Sequence, residues 1–163
     1  MRRVRGGSLI IRTVIPMNDM RFIDPDKFQE ECAVIGVTNH HDAAKYCYLG
    51  LYILQHRGQE GTGIAATDGK SMNLHREMGL VADVYSPEVM EALSANAAIG
   101  HNRYATFGSK SWQNLQPFMA TFLENSYAIA HNGNLVNAQE LRAELEKSGA
   151  IFSASSDTEV ILH

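Results

Sequence analysis

A chain of 163 residues, 45% of them hydrophobic, is the length of one domain and can bury a core of its own, which excludes a disordered tail. Fourteen Lys and Arg against eighteen Asp and Glu leave a net charge of −4 with no basic cluster, which argues against a nucleic-acid surface. Cys32 and Cys47 are too few for a disulfide framework and lack C-x-x-C spacing; this suits a reducing, cytoplasmic setting, and no apolar run approaches the roughly 18 residues of a membrane span.

Residues 1–31 start basic, with Arg2, Arg3, Arg5 and Arg12, pass through Leu9-Ile10-Ile11, and end acidic with Asp24, Asp26, Glu30 and Glu31. They carry no helical or strand period and read as an extension. A secretory signal is argued against by Arg12 inside the apolar patch and by Glu30-Glu31 ahead of Cys32. An Arg-rich organelle presequence is argued against by Asp19, Asp24 and Asp26, and Met17 and Met20 are alternative starts.

From Cys32 the pattern is orderly. The apolar, β-branched run 32–37 predicts a buried strand beginning at the cysteine itself. Asp42 offers an N-cap to a helix over 43–55, with Cys47, Leu51 and Leu54 on one face, so Cys47 reads as core. After the glycine-rich 55–63, strands at 64–67 and 72–75 flank Asp68-Gly69 as a hairpin. Ser86-Pro87-Glu88 opens another helix with a cap, a proline at its first position and an acid in its first turn. Strands follow at 97–104 and 127–131, the second ending in Asn132-Gly133. Asn137 with Glu140 forms a capping box for a helix through Lys147, closed by Gly149. Ser156 with Glu159 forms another, for a helix starting near Asp157, and the end of the chain reads as cut from a longer protein.

The seven histidines include no H-E-x-x-H pair, and Gly58 to Gly63 fits neither a Walker loop nor a dinucleotide fingerprint, so neither a metal centre nor a phosphate cradle is expected. Cys32 is the chemical candidate. Removal of residues 1–31 would put an α-amino group, with an ordinary pKa near 7.7–8.0, beside its thiol; one residue would then supply both nucleophile and base. Read from local sequence alone, Cys32 is equally a buried strand cysteine.

Six ordered blocks, E-E-C-A-V-I-G, L-Q-H-R-G-Q-E-G-T-G-I-A, G-H-N-R-Y-A-T-F-G, N-L-Q-P-F, H-N-G-N-L-V-N and S-S-D-T-E, resemble the class II glutamine amidotransferase (glutaminase) domain of the amidophosphoribosyltransferases, from about Glu30 onward. The resemblance implies an α+β fold, a four-layer αββα sandwich of the N-terminal nucleophile hydrolase type, C-terminally truncated. It implies a propeptide over 1–31 and an incomplete glutaminase domain over 32–163. It assigns Cys32 as nucleophile and Asn132 and Gly133 as the oxyanion hole, where an amide and an adjacent backbone N–H suit the oxygen that gains charge. Arg103 would pair with the glutamine α-carboxylate, a task suited to a rigid fork, and Asp157 with its α-amino group. Arg57 and Gly58 would line and close the pocket, and Thr106 would help shape the carboxylate site. Taken singly, Asn132-Gly133 is also a type I′ hairpin turn, Arg103 a surface ion pair, and Asp157 a first-turn helix acid; Tyr104, Phe107 and Phe118 read as core packing.

The implied reaction is glutamine amide hydrolysis, with the ammonia passing to a phosphoribosyltransferase domain that makes 5-phosphoribosylamine from phosphoribosyl pyrophosphate in the first step of purine biosynthesis. That domain, its magnesium, and the iron–sulfur cluster of some propeptide-bearing members lie outside these residues, so no cofactor or metal is expected within them. Glutamine is the expected partner, without nucleic acid or membrane, and the full-length protein is expected to be a homo-oligomer. The alternatives are the glutaminase of glucosamine-6-phosphate synthase, whose Y-R-G-Y-D-S-A-G and H-T-R-W-A-T-H-G fit less well, and a catalytically silent regulatory module if residues 1–31 are retained.

Overall fold

The computed structural model describes residues 32–104 and 112–163. Four strands, β1 (Ala33–Thr38), β2 (Gly61–Thr67), β3 (Met72–Met78) and β4 (Ala97–Arg103), form one antiparallel sheet in the order β1-β4-β2-β3. A second, two-stranded sheet pairs β5 (Phe118–Phe122) with β6 (Asn125–Ile129). Helix α1 (Ala43–Ile53) lies on the larger sheet; α2 (Val81–Val84) and α3 (Pro87–Ala92) link β3 to β4; α4 (Ala138–Lys147) and α5 (Asp157–Leu162) follow β6. The architecture is mixed α and β, with all strand pairs antiparallel. None of the described helices is long and apolar enough to cross a membrane.

The core lies between α1 and the larger sheet. Ala43, Ala44, Cys47 and Leu51 from one face of α1 pack with Ile64 and Ala66 of β2, Ala98 of β4, and Val81, Val84, Tyr85 and Leu93. Cys47 is fully buried and its thiol donates to the Ala98 carbonyl at 3.4 Å. Burial pushes that thiol up to about 11, as expected for a cysteine that packs rather than reacts. Gly69 at the tip of the β2–β3 hairpin has φ +88, and Asp68 Oδ1 accepts from the Lys70 and Ser71 backbone N–H groups, the predicted turn.

Several elements depart from the sequence expectation, each for a local reason. Helix α1 stops at Ile53 because Gln55 is drawn into the following turn, where its amide donates to Gly58 O and accepts from Val81 N; residues Gln55–Arg57 form a 3₁₀ turn instead. Asp42 precedes α1 but does not cap it, its carboxylate being turned to Lys45 at 2.7 Å and His41 at 2.9 Å. Asn137 likewise makes no side-chain cap for α4. Ser86 and Ser156 do cap, accepting from Val89 N and Thr158 N. Glu159 does not complete a capping box: its carboxylate takes the Ser153 N–H and hydroxyl and the Ala154 N–H, at 2.7 to 2.8 Å. Burial alone would raise its pKa, yet these bonds hold it below the usual carboxylate value. Strands β5 and helix α2 had no clear periodic signal.

Candidate functional site

The register of the larger sheet assembles the site. Ala33 pairs with Asn102 across β1 and β4, so Cys32, one residue earlier, falls opposite Arg103 and Tyr104. Gly61 pairs with Arg103 across β2 and β4, which brings the loop 57–60 to the same end. Three strand ends, distant in sequence, thus converge at one edge.

At that edge the Tyr104 N–H points at Cys32 Sγ from 3.4 Å, and the thiol faces the Tyr104 carbonyl at 3.6 Å. The residue read from sequence as packing therefore presents its backbone to the Cys32 sulfur. The Cys32 carbonyl accepts from Asn132 Nδ2 at 2.7 Å and from Arg57 Nε at 3.4 Å, across 100 and 25 residues of chain. Asn132 and Gly133 follow β6, and α4, not a returning strand, comes next, so the hairpin reading is replaced by a loop. Gly133 has φ +156, a conformation that favours glycine, and a Cβ there would meet the His131 ring, with Nε2 at 2.8 Å.

Gly58 is required by space alone. A Cβ would lie 2.8 Å from the carbonyl of Arg103 and 2.9 Å from that of Asn102. The side chain of Arg103 is mostly buried, donating from Nη1 to the Asn114 carbonyl at 2.9 Å and facing Glu60 Oε2 from Nε at 3.8 Å, which sets aside an exposed surface ion pair. Asn114 in turn exchanges hydrogen bonds with Ser155, its Nδ2 donating to Ser155 Oγ at 2.9 Å and its Oδ1 accepting from Ser155 N at 3.0 Å. Asp157, two residues on, accepts from Leu135 N through Oδ2 at 2.6 Å and faces His131 Nδ1 through Oδ1 at 4.0 Å. A groove lined by Asn114, Asn134, Leu135, Ser155, Ser156 and Asp157 opens beside it. Arg57 and Asn132 thus meet at the Cys32 carbonyl, Arg103 stands across the ladder from Cys32, and Asp157 lies two residues beyond Ser155, which bonds the Asn114 that holds Arg103. Thr106 and Phe107 lie outside the described residues.

His101, on β4 two residues before Arg103, is 1% exposed and neither ring nitrogen has a hydrogen-bond partner; the His131 backbone lies near the ring without reaching bonding geometry. Burial first, and then the Arg103 charge, push it down to about 4, so it is neutral at pH 7. Among the described residues, His40, His41 and Asp42 bring metal-ligating atoms within 4.8 Å of one another. The Asp42 carboxylate is already matched by Lys45, whose hydrogen bond lowers its pKa, so the group reads as a charge cluster at the start of α1.

Residues 87–163 match the family described as glutamine amidotransferase domain. Amidophosphoribosyltransferase of Staphylococcus aureus strain Mu50 is 52% identical over 135 residues, covering 82% of this chain and 27% of that protein. The amidophosphoribosyltransferase of Bacillus subtilis strain 168 is 48% identical over the same span, 82% of this chain and 28% of its own. Over 82% of its own length the chain is similar to the amidophosphoribosyltransferases. Amidophosphoribosyltransferase 2, chloroplastic, of Arabidopsis thaliana is 48% identical over 139 residues, 85% of this chain and 25% of that one. Among solved structures, one described as the allosteric regulatory enzyme of purine biosynthesis superposes with TM-score 0.76 at 47% identity, covering 80% of this chain and 28% of that chain. The B. subtilis glutamine phosphoribosylpyrophosphate amidotransferase complexed with ADP and GMP gives 0.73 at 46%, with the same coverage. The chain spans about a quarter of the length of these relatives.

Sequence reasoning missed Glu60, Asn114 and His131, although each stands in or beside a quoted block. Their signal was available only in register: Glu60 precedes the residue paired with Arg103, and His131 precedes Asn132. Asn114 carries no local signal, because it acts through its carbonyl and through Ser155, 41 residues away.

Proposed function

We propose that this chain hydrolyses the side-chain amide of glutamine with Cys32 as an amino-terminal nucleophile, once residues 1–31 are removed. The observation that carries the reading is the meeting of Cys32, Asn132, Arg57 and Arg103 at one sheet edge, with Asn132 Nδ2 2.7 Å from the Cys32 carbonyl. The Cys32 thiolate attacks the carboxamide carbon while the free α-amine takes the thiol proton, and the same amine returns a proton to the departing nitrogen, which leaves as ammonia. Water then cleaves the thioester to glutamate and the thiol. The Asn132 amide has two N–H groups: one holds the Cys32 carbonyl, and the other, with the Gly133 N–H, serves the oxyanion. Arg103 takes the α-carboxylate and Asp157 the α-amino group, while Arg57, Gly58 and Thr106 complete the pocket.

The N-terminal nucleophile class, its four-layer αββα sandwich, the propeptide over 1–31 and the glutaminase domain over 32–163 belong to the same proposal. So does the use of the ammonia to make 5-phosphoribosylamine from phosphoribosyl pyrophosphate for purine synthesis, in the cytoplasm and in a homo-oligomer. Magnesium, the phosphoribosyl pyrophosphate site and any iron–sulfur cluster are placed beyond these residues. Cys47, fully buried with its thiol on the Ala98 carbonyl, is not a cluster ligand. The relatives named above favour neither the glucosamine-6-phosphate synthase reading nor the silent module.

Mass spectrometry of the protein made in cells tests the first step, with a mature N-terminus at Cys32 expected. Cys32→Ala is expected to abolish glutamate release from glutamine, the sole nucleophile being lost. Turnover at the wild-type rate by that variant, or an intact leader on a protein that hydrolyses glutamine, overturns the assignment.

A further inference from the structure

Beside Arg103 sits a carboxylate with no role in the reading above. Glu60 Oε2 lies 3.8 Å from Arg103 Nε, the two side chains being 21% and 13% exposed, and that carboxylate oxygen is buried without a hydrogen bond. The Glu60 backbone is fixed as well: its N–H donates to the Arg103 carbonyl at 3.2 Å and its carbonyl accepts from Gly79 N at 2.9 Å. Two residues earlier, Gly58 lies flush on that same Arg103 carbonyl. On another nitrogen of the guanidinium, the Asn114 carbonyl accepts at 2.9 Å.

A guanidinium hydrogen-bonded at one nitrogen and facing a buried carboxylate across another is biased toward one orientation of its plane. A carboxylate arriving at such a fork meets donors already oriented, and the arginine loses little rotamer freedom on binding. Buried pairs of this kind are weak contributors to stability, because desolvation offsets their attraction, so stability alone gives little reason to bury this one. We propose that Glu60 is a positioning residue for Arg103, setting the guanidinium that receives the α-carboxylate of the substrate amino acid. The inference rests on the reading of the site as a glutamine pocket.

The test alkylates Cys32 with iodoacetamide in the purified protein matured at Cys32, with and without glutamine; Cys47, fully buried, does not compete. Glu60→Gln is expected to leave the unprotected alkylation rate within about threefold of wild type and to raise the half-protecting glutamine concentration about tenfold, a loss typical of one charged partner. Glu60→Asp, which keeps the charge on a shorter stem, is expected to raise it about threefold, and it carries the test alone should Glu60→Gln fail to fold. Unshifted protection in these variants overturns the proposal. So does a shift matched by an equal change in the unprotected rate, which marks a general disturbance of the site. If glutamine fails to protect wild-type Cys32 at all, the glutamine-pocket reading falls first; protection of wild type without a shift in the variants sinks the Glu60 role alone.

Discussion

Asn132 is the residue at which position and chemistry are hardest to separate. Its side chain is exposed yet reaches the Cys32 carbonyl across 100 residues. Asn132→Ala is expected to lower kcat for glutamine hydrolysis by about 10²–10³-fold, the usual cost of one oxyanion donor. Steady-state kinetics on the matured protein measure it. His101 gives the residue-scale prediction for pH. Its folded-state value near 4 lies below the ordinary 6.5, so the unfolded chain binds the proton first as pH falls. Stability from this group is complete above pH 6.5 and is lost on the way down to 4. Urea unfolding between pH 7 and 5 is expected to show wild type losing about 2 kcal/mol more than His101→Gln.

Strand β1 and helix α1 were legible as elements because β-branched and helical periods dominate them, but β1, read as a buried strand from Cys32, starts at Ala33 and alternates buried with exposed residues because it is an edge strand. What was not legible was where each element yields to its neighbours. The α1 boundary moved because Gln55 bonds Gly58 and Val81, a tertiary contact that outweighs two further residues of helical pattern. Asp42 and Glu159 are good capping residues whose carboxylates are taken by Lys45 and by Ser153 and Ala154, whereas Ser86 and Ser156 cap as expected. The face of α1 is the most readable feature, and its weight can be measured. Leu51 is fully buried against the sheet, and Leu51→Ala is expected to cost about 3 kcal/mol of stability by chemical denaturation.

At the scale of the molecule, residues 114–116, just before β5, tie the two sheets together. Arg76 of β3 donates to the Leu115 carbonyl at 2.6 Å and lies over the Phe118 ring, while Gln116 Oε1 accepts from His131 N at 2.7 Å. Asn114 sits at the centre, with Arg103 on its carbonyl and Ser155 on its side chain. Asn114→Ala is expected to cost about 1–3 kcal/mol by leaving Ser155 unpaired, lowering the thermal unfolding midpoint. The sequence blocks named most of the candidate site, since Cys32, Asn132 and Arg103 each carry a distinctive local pattern. They were silent about the struts between blocks, because a carbonyl acceptor such as that of Asn114 leaves no trace in side-chain identity.

The β1–β4 ladder begins at Ala33, one residue beyond the sulfur, and runs for six residues away from it. A cut at the Glu31–Cys32 bond therefore breaks no rung of that ladder. In the proposed maturation, removal of residues 1–31 is a change of charge at the tip of a strand moored downstream, so the sheet that holds Cys32 can be complete before the proposed nucleophile is in its active form.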